Sequence, residues 1–418
     1  MRPASALKWL LFVGTICGGV GGGSRLLAQF TPPRRVTAPG KATSTYHLGL
    51  DYFEHLVIAH EDAGELAVES FAATELVDSA PLGNGTEPSL AFSVLGSYIS
   101  YCAAPANSAG DLKVFLRSRL SGPWSDPKPV SEGAGDDHRP CLQVTSLGRP
   151  VIAWERRTAG APTEVWFRRG TDLPVKIGPG EAPALVLGDA NRAYVFFLRG
   201  GDVYTTKESS QSPGFFPPAT KITNLPGRTR FPPRAGVLGK RAVFLCFERD
   251  GRIFLANDRL GDFVDPVAID DGLVGGAGGD GSAQPAFTIS ANGAVGFALE
   301  KGRDVYTTLG ATFFVPPATP AFVTPESETS PAVAVDSFAN VYLGFLRSGI
   351  LYFANNAGLP QAQFEATPRS GEAPLEVSFR DESIGDVTGW LWDFADGTTS
   401  AERHPLHLFA ESGAYKVR

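Results

Sequence analysis

Four glutamates, Glu61, Glu155, Glu248 and Glu300, recur at one position of a repeated pattern, fifteen residues after its opening residue. One residue further along, two other copies carry Arg199 and Arg347. Carboxylates and guanidinium groups at one register have two chemical uses. They can pair between neighbouring repeats, which at exposed sites contributes about 0–1 kcal/mol per pair. Alternatively they form a charged rim that binds a polar ligand. These six are the candidate binding residues, and no catalytic residue is assigned.

Other chemistry is sparse. The chain holds no Gly-x-Ser-x-Gly elbow, no His-Glu-x-x-His, no phosphate loop and no Cys-x-x-Cys. His47, His55, His60, His138, His404 and His407 lie at no metal-ligand spacing and read as solvated or edge histidines. Two acidic, Gly-rich segments, 132–137 and 270–280, offer oxygen ligands of the kind Ca²⁺ takes, without an established spacing. No metal site and no cofactor is therefore assigned, with Ca²⁺ left as the open alternative. Cys102 ends a strand of one repeat and Cys141 opens a strand of the next, so a disulfide between them is geometrically open. Cys246, inside Val-Phe-Leu-Cys-Phe, reads as a buried thiol.

What must position these residues is a repeat. Pro88, Pro140, Pro183, Pro233, Pro285 and Pro331 each open an apolar run, at spacings of 52, 43, 50, 52 and 46 residues, and a seventh copy without the proline starts at Tyr46. Proline suits the first residue of a strand, where no ladder donor is needed. Each run continues through a turn into a second apolar strand, then into a further hairpin. Four short strands per repeat, seven times over, is the pattern of propeller blades. The expected fold is all-β: a seven-bladed β-propeller over residues 42–358. Residues 65–80 would suit a helix taken alone, but register makes them strands. The seventh repeat lacks a fourth strand of its own, so residues 34–38, within the N-terminal segment 29–41, are expected to supply it.

The chain's 418 residues include 48 Gly and 33 Pro, with 19% charged and a net charge of −7. Such an acidic, turn-rich chain is a poor match for nucleic acid. Arg2 and Lys8 precede an apolar run from Trp9 that fades into glycines and ends at Ala28. Residues 1–28 thus read as a signal peptide, too short in its apolar part to span a membrane. No later stretch reads as a span. The protein is expected to be secreted or at the cell surface, and monomeric.

After residue 360 the pattern changes. Ala373-Pro-Leu-Glu-Val-Ser-Phe379, Trp390-Leu-Trp-Asp-Phe-Ala-Asp-Gly397, His407 and Gly413-Ala-Tyr-Lys-Val417 stand in the order of a polycystic-kidney-disease (PKD) domain, and residues 361–418 resemble that family. The resemblance implies an immunoglobulin-like β-sandwich of bacterial extracellular proteins. It also implies an incomplete one, because the family has a further strand-length beyond the strand beginning at Tyr415. Ala395 stands where the family signature has Gly. Asp393 and Asp396 read as turn-locking carboxylates, with Ca²⁺ binding as the alternative. A three-residue connection with Pro360 is expected to join the two domains stiffly. In the first domain, Gly122-Pro-Trp-Ser-Asp-Pro-Lys-Pro-Val130 resembles outer strands of sialidase-type propellers, although no intact Ser-x-Asp-x-Gly-x-x-Trp box occurs. The leading expectation is a non-catalytic extracellular module that binds a glycan or a protein surface. A sialidase-like glycoside hydrolase would instead use Arg199 and Arg347 with Glu155 or Glu248, and a structural or adhesion role is the third reading.

Overall fold

A computed structural model describes residues 9–12, 30–105, 110–224, 226–239, 242–259, 263, 266–268, 284–290, 292–302, 304–311, 319–322, 326–357, 364–383, 387 and 389–418. The acidic segment 270–280, the expected cleavage site at Ala28 and the connection around Pro360 lie outside the described residues. Two compact units emerge, one of Phe30–Asn355 and one of Asn356–Arg418 together with the N-terminal residues.

The larger unit holds seven four-stranded antiparallel sheets among the described residues. Their first strands are Thr43–Leu50, Thr86–Ser93, Asp136–Val144, Glu181–Leu187, Arg234–Leu238, Ala286–Ile289 and Glu328–Val335. The second strands are Leu56–Asp62, Gly96–Ala103, Pro150–Arg157, Ala193–Arg199, Ala242–Arg249, Ala294–Lys301 and Val341–Arg347. These second strands are apolar on both faces because each sheet is sandwiched between two others. Leu56–Asp62 and Ala242–Arg249 are buried along their whole length. Residues 65–80 are indeed strand, within Glu65–Ala72 and Glu75–Asn84.

Four of the six anchor prolines follow a bulge. Glu87, Arg139, Ala182 and Ser330, each directly before an anchor proline, have φ between 50° and 53°. The ladder slips register at each of these points. A bulge leaves one residue's backbone groups unpaired, and that residue must find partners elsewhere. Where they go decides the role of the glutamates below.

First strands contact one another in chain order, and that of the seventh sheet contacts that of the first. Gly344 of the seventh sheet lies so near Leu48 of the first that a Cβ there would stand 2.6 Å from Leu48 Cδ2. The seventh sheet takes its fourth strand from the N-terminal segment: Arg34 pairs with Phe353 and Arg35 with Tyr352. Thr37, 1% exposed, then accepts the Leu351 N–H at 2.7 Å.

In the smaller unit, Phe364–Thr367, Leu375–Asp381 and Leu406–Phe409 form one sheet, over a core of Val377, Phe379, Trp392, Phe394 and Phe409. Trp392 is buried and donates Nε1–H to the Glu402 carbonyl at 2.7 Å, whereas Trp390 is only partly buried, under the Arg403 guanidinium. Within the expected signal peptide, Trp9–Phe12 pairs with Ser370–Glu372 and with Ala414–Tyr415. Ala395 has φ 59° and is exposed, which explains why glycine belongs at that point of the signature: a Cβ strains this conformation by about 1 kcal/mol. Ala395→Gly should therefore raise the melting temperature of the isolated smaller domain by roughly 4–8 °C. Calorimetry showing no rise would mean the turn is relaxed with alanine.

Candidate functional site

All six charged residues of the repeat register sit in the last residues of a second strand, beside the turn into the third. They do not converge on one another. Glu155 is fully buried; its Oε2 accepts the N–H of Ala182, the bulge residue of the next sheet, at 2.6 Å, and its Oε1 accepts from Arg157. Glu300 Oε2 accepts the N–H of Ser330, again the bulge residue of the next sheet, at 3.1 Å. Glu248, also fully buried, accepts Arg230 N–H at 3.1 Å and Gly251 N–H at 2.5 Å. Glu61 accepts Gly64 N–H at 2.6 Å and the Thr45 hydroxyl at 3.4 Å. A carboxylate satisfies two donors at once; Glu155 and Glu300 tie their sheet to the bulge of the next, while Glu61 and Glu248 tie together backbone and side chain of their own sheet and the segment leading into it.

The arginines are placed differently. Arg199 donates Nε–H to the Pro179 carbonyl at 2.8 Å and lies over Phe197 and Tyr204, with its guanidinium carbon 4.5 Å from the Tyr204 centroid. Arg347 pairs with Glu328 at 2.7 Å. The neighbours Glu155–Arg199 and Arg199–Glu248 are not ion pairs among the described residues; Glu155 pairs with Arg157 and Arg139.

Cys102 and Cys141 are free thiols, which corrects the disulfide expectation. Successive strand residues face opposite sides of a sheet. Cys102 packs between the second and third sheets with Leu142 and Trp154, while Cys141 packs between the third and fourth and donates Sγ–H to the Pro183 carbonyl at 2.8 Å. Cys246 is buried, as expected. His60 is less solvated than expected, 4% exposed beside Asp62, while half-buried His47 accepts the Leu90 N–H on Nδ1 at 3.3 Å and His404 is exposed. In segment 132–137, Asp137 is fully buried and bound by Arg156 and Trp154. In the smaller unit, Asp393 accepts Ala395 N–H and Asp396 accepts Thr398 N–H, with His407 Nε2 2.7 Å from Asp396 Oδ2. Among the described residues no group of His, Cys, Asp and Glu has metal-site geometry.

Two cavities are lined by described residues. The first, about 360 Å³, is lined by the first strands of all seven sheets, and its lining includes the residue after each repeat anchor: His47, Ser89, Cys141, Ala184, Arg234, Ala286 and Ala332. Burial, with the Arg234 charge second, holds the His47 imidazole down to about 4. Burial pushes the Cys141 thiol up to about 11, against the pull of Arg234.

The second cavity, about 320 Å³, lies at the end of the unit where first strands turn into second strands, and Asp51, Glu54, Ser290, Asp336 and Ser337 help line it. Its two loops are built by Asx turns. Asp51 Oδ1 accepts the N–H groups of Phe53 and His55, and Asp336 Oδ1 accepts those of Phe338 and Asn340. Glu54 Oε1 joins them by accepting the Ser337 N–H at 2.9 Å. The turns thereby hold out three aromatic side chains, Tyr52, Phe53 and Phe338, which are 64%, 76% and 67% exposed.

Hairpins at this end also meet elsewhere. Asn191 donates to Ser146, Asn292 to the Ser337 carbonyl, and Leu95 lies against Gly148. Among the described residues, most exposed large apolar residues of the larger unit belong to first-to-second or third-to-fourth connections, Val94, Leu120, Leu147, Leu173 and Phe215 included, while Leu76 and Val77 stand on the fourth strand Glu75–Asn84. In antiparallel sheets these two kinds of connection fall at one end. Sequence reading passed over these aromatics and Arg234. The turn positions of the former, and the place of the latter after an anchor proline, were the available signals.

Residues 355–418 match the family model of the PKD domain. Over 54 residues the chain is 41% identical to Collagenase ColA and 35% identical to Collagenase ColQ1, both of Bacillus cereus; each match covers 12% of this chain and 6% of the collagenase. The chain thus spans only a small part of these curated relatives. Similar solved structures include the leech intramolecular trans-sialidase (TM-score 0.46, 9% identity, 72% of this chain and 82% of that one). The β-propeller domain of the Trilobed protease from Pyrococcus furiosus has TM-score 0.45 and 10% identity over 76% of this chain and 94% of that one. No helix among the described residues is long and apolar enough to cross a membrane.

Proposed function

We propose that the larger unit is a closed seven-bladed β-propeller whose hairpin end binds an extracellular glycan without turning it over, in an exported protein that carries a PKD domain. The observation that carries this reading is the exposed triad Tyr52, Phe53 and Phe338 beside a cavity lined with carboxylates and hydroxyls. Sugar rings bury their C–H faces on aromatic side chains while their hydroxyls need polar partners, and a cavity of this size is at the small end of the range of about 300–1,000 Å³ for small-molecule sites. Exposed apolar groups gathered at one end otherwise favour association.

Ring closure is supported by the seventh sheet's contacts with the first and by its borrowed fourth strand. The absence of turnover is supported by Glu155 and Glu248, whose oxygens are already engaged by backbone N–H groups and arginines in a fully buried setting. A glycosidase needs its carboxylate pair open to the scissile bond. Export is supported by the charged and apolar run before Ala28 and by the PKD domain.

A glycan array probed with residues 29–418, run beside a sialidase assay on the same preparation, tests the reading. Retention of particular glycans with no sugar release is the expected result. Saturable sugar release by the purified protein would establish the sialidase-like alternative instead.

A further inference from the structure

We propose that Arg234 makes the cavity between the first strands a binding site for a small monocarboxylate. Arg234 stands on the first strand of the fifth sheet, and the cavity of about 360 Å³ takes wall residues from all seven sheets. No Asp or Glu is among the described residues lining it. Half-buried guanidinium groups elsewhere in this unit, such as those of Arg117, Arg168 and Arg199, are held by backbone carbonyls, and the buried ones of Arg156, Arg169 and Arg249 by the carboxylates of Asp137, Glu208 and Asp202. Among the described residues Arg234 has no such partner. A cation partly withdrawn from water without a counter-charge is costly, and a ligand anion removes that cost.

Charge and shape then select the ligand. His47, across the cavity, is neutral at pH 7 because burial and the Arg234 charge hold its basicity down. The Tyr46, Cys141 and Cys246 side chains also feel the Arg234 charge, so its field spans strands of several sheets. One full positive charge is matched by one negative charge. Phosphate, between one and two negative charges at neutral pH, would bring an excess that nothing in the wall neutralises. The guanidinium fork is complementary to a planar carboxylate, which it binds through two parallel hydrogen bonds. Ser89, Gln143, Gln284 and Ser330 line the same cavity and supply hydrogen bonds to the ligand's remaining polar groups. This cavity adjoins the aromatic one through Leu48 and Val333, but the proposal rests on Arg234 and does not depend on glycan binding.

Isothermal titration calorimetry of residues 29–418 with acetate, lactate, glucuronate and inorganic phosphate, at constant ionic strength, tests the proposal. At least one of the three carboxylates should bind saturably and more tightly than phosphate. Arg234→Gln, which keeps length and hydrogen bonding but removes the charge, should weaken that binding at least tenfold. Arg234→Lys, which keeps the charge but not the fork, should weaken it several-fold, and serves alone if the glutamine variant does not fold. No saturable carboxylate binding, tighter binding of phosphate, or unchanged affinity in the variants would each overturn the proposal.

Discussion

Removing residues 29–38 should lower the melting temperature of the larger unit by roughly 10 °C and promote association. The segment supplies the outer strand of the seventh sheet. Its bonds are Thr31 N–H to the Asn355 carbonyl, Val36 N–H to the Leu351 carbonyl and Leu351 N–H to Thr37 Oγ1, all 2.7–2.8 Å. Thr37 also reaches Thr43 Oγ1 at 2.5 Å, which ties the segment to the first sheet. Each hydrogen bond contributes about 1 kcal/mol net, and burying Val36 adds about 1.5–3 kcal/mol. At about 2–4 °C per kcal/mol for domains of 150–250 residues, several such terms make the shift. Truncation would leave Ile350–Asn355, with its buried Leu351 and Phe353, as a bare sheet edge. Scanning calorimetry of residues 39–418 against 29–418 measures the effect, and equal melting temperatures would show that the segment does not complete the unit.

Glu155→Ala should destabilise by about 1–3 kcal/mol, the cost of leaving a buried donor unsatisfied. The variant strands the Ala182 N–H at the bulge and leaves Arg157 and Arg139 without their carboxylate. Arg199→Ala, at the same register, loses a bond to the Pro179 carbonyl and a stack on Tyr204. Partly exposed cation–π contacts of that kind contribute about 0.5–1 kcal/mol. Chemical denaturation of the two variants therefore separates a structural glutamate from a surface arginine. A stable Glu155→Ala protein would return the glutamate to the list of groups free to meet a ligand.

The contrast shows what sequence carries. Anchor prolines marked the sheets because a bulge needs a particular residue type at a particular place, and type and place are both written in the chain. The recurring glutamates were equally visible, yet their partners were not. Those partners are backbone N–H groups of Ala182, Ser330, Arg230 and Gly251, which any residue supplies and no side chain announces. Cys102 and Cys141 looked close along the repeat, but strand alternation sends them into different layers. Arg234 was hidden by the same alternation. Which face of a first strand looks into the cavity became plain only when the residues after all seven anchors could be seen around one space. Tyr52 and Phe53 read as turn residues, and only the Glu54–Ser337 contact brings them beside Phe338.

The most direct test of glycan binding at the hairpin end compares two variants, each titrated with the glycan that the array retains best. Tyr52→Ala, Phe53→Ala and Phe338→Ala combined should weaken binding at least tenfold with little change in melting temperature, because all three side chains are mostly exposed. Arg199→Ala, at the opposite end of its sheet, should leave affinity unchanged. Full affinity in the aromatic variant, or loss confined to the arginine variant, would contradict the account and move the binding face to the charged end.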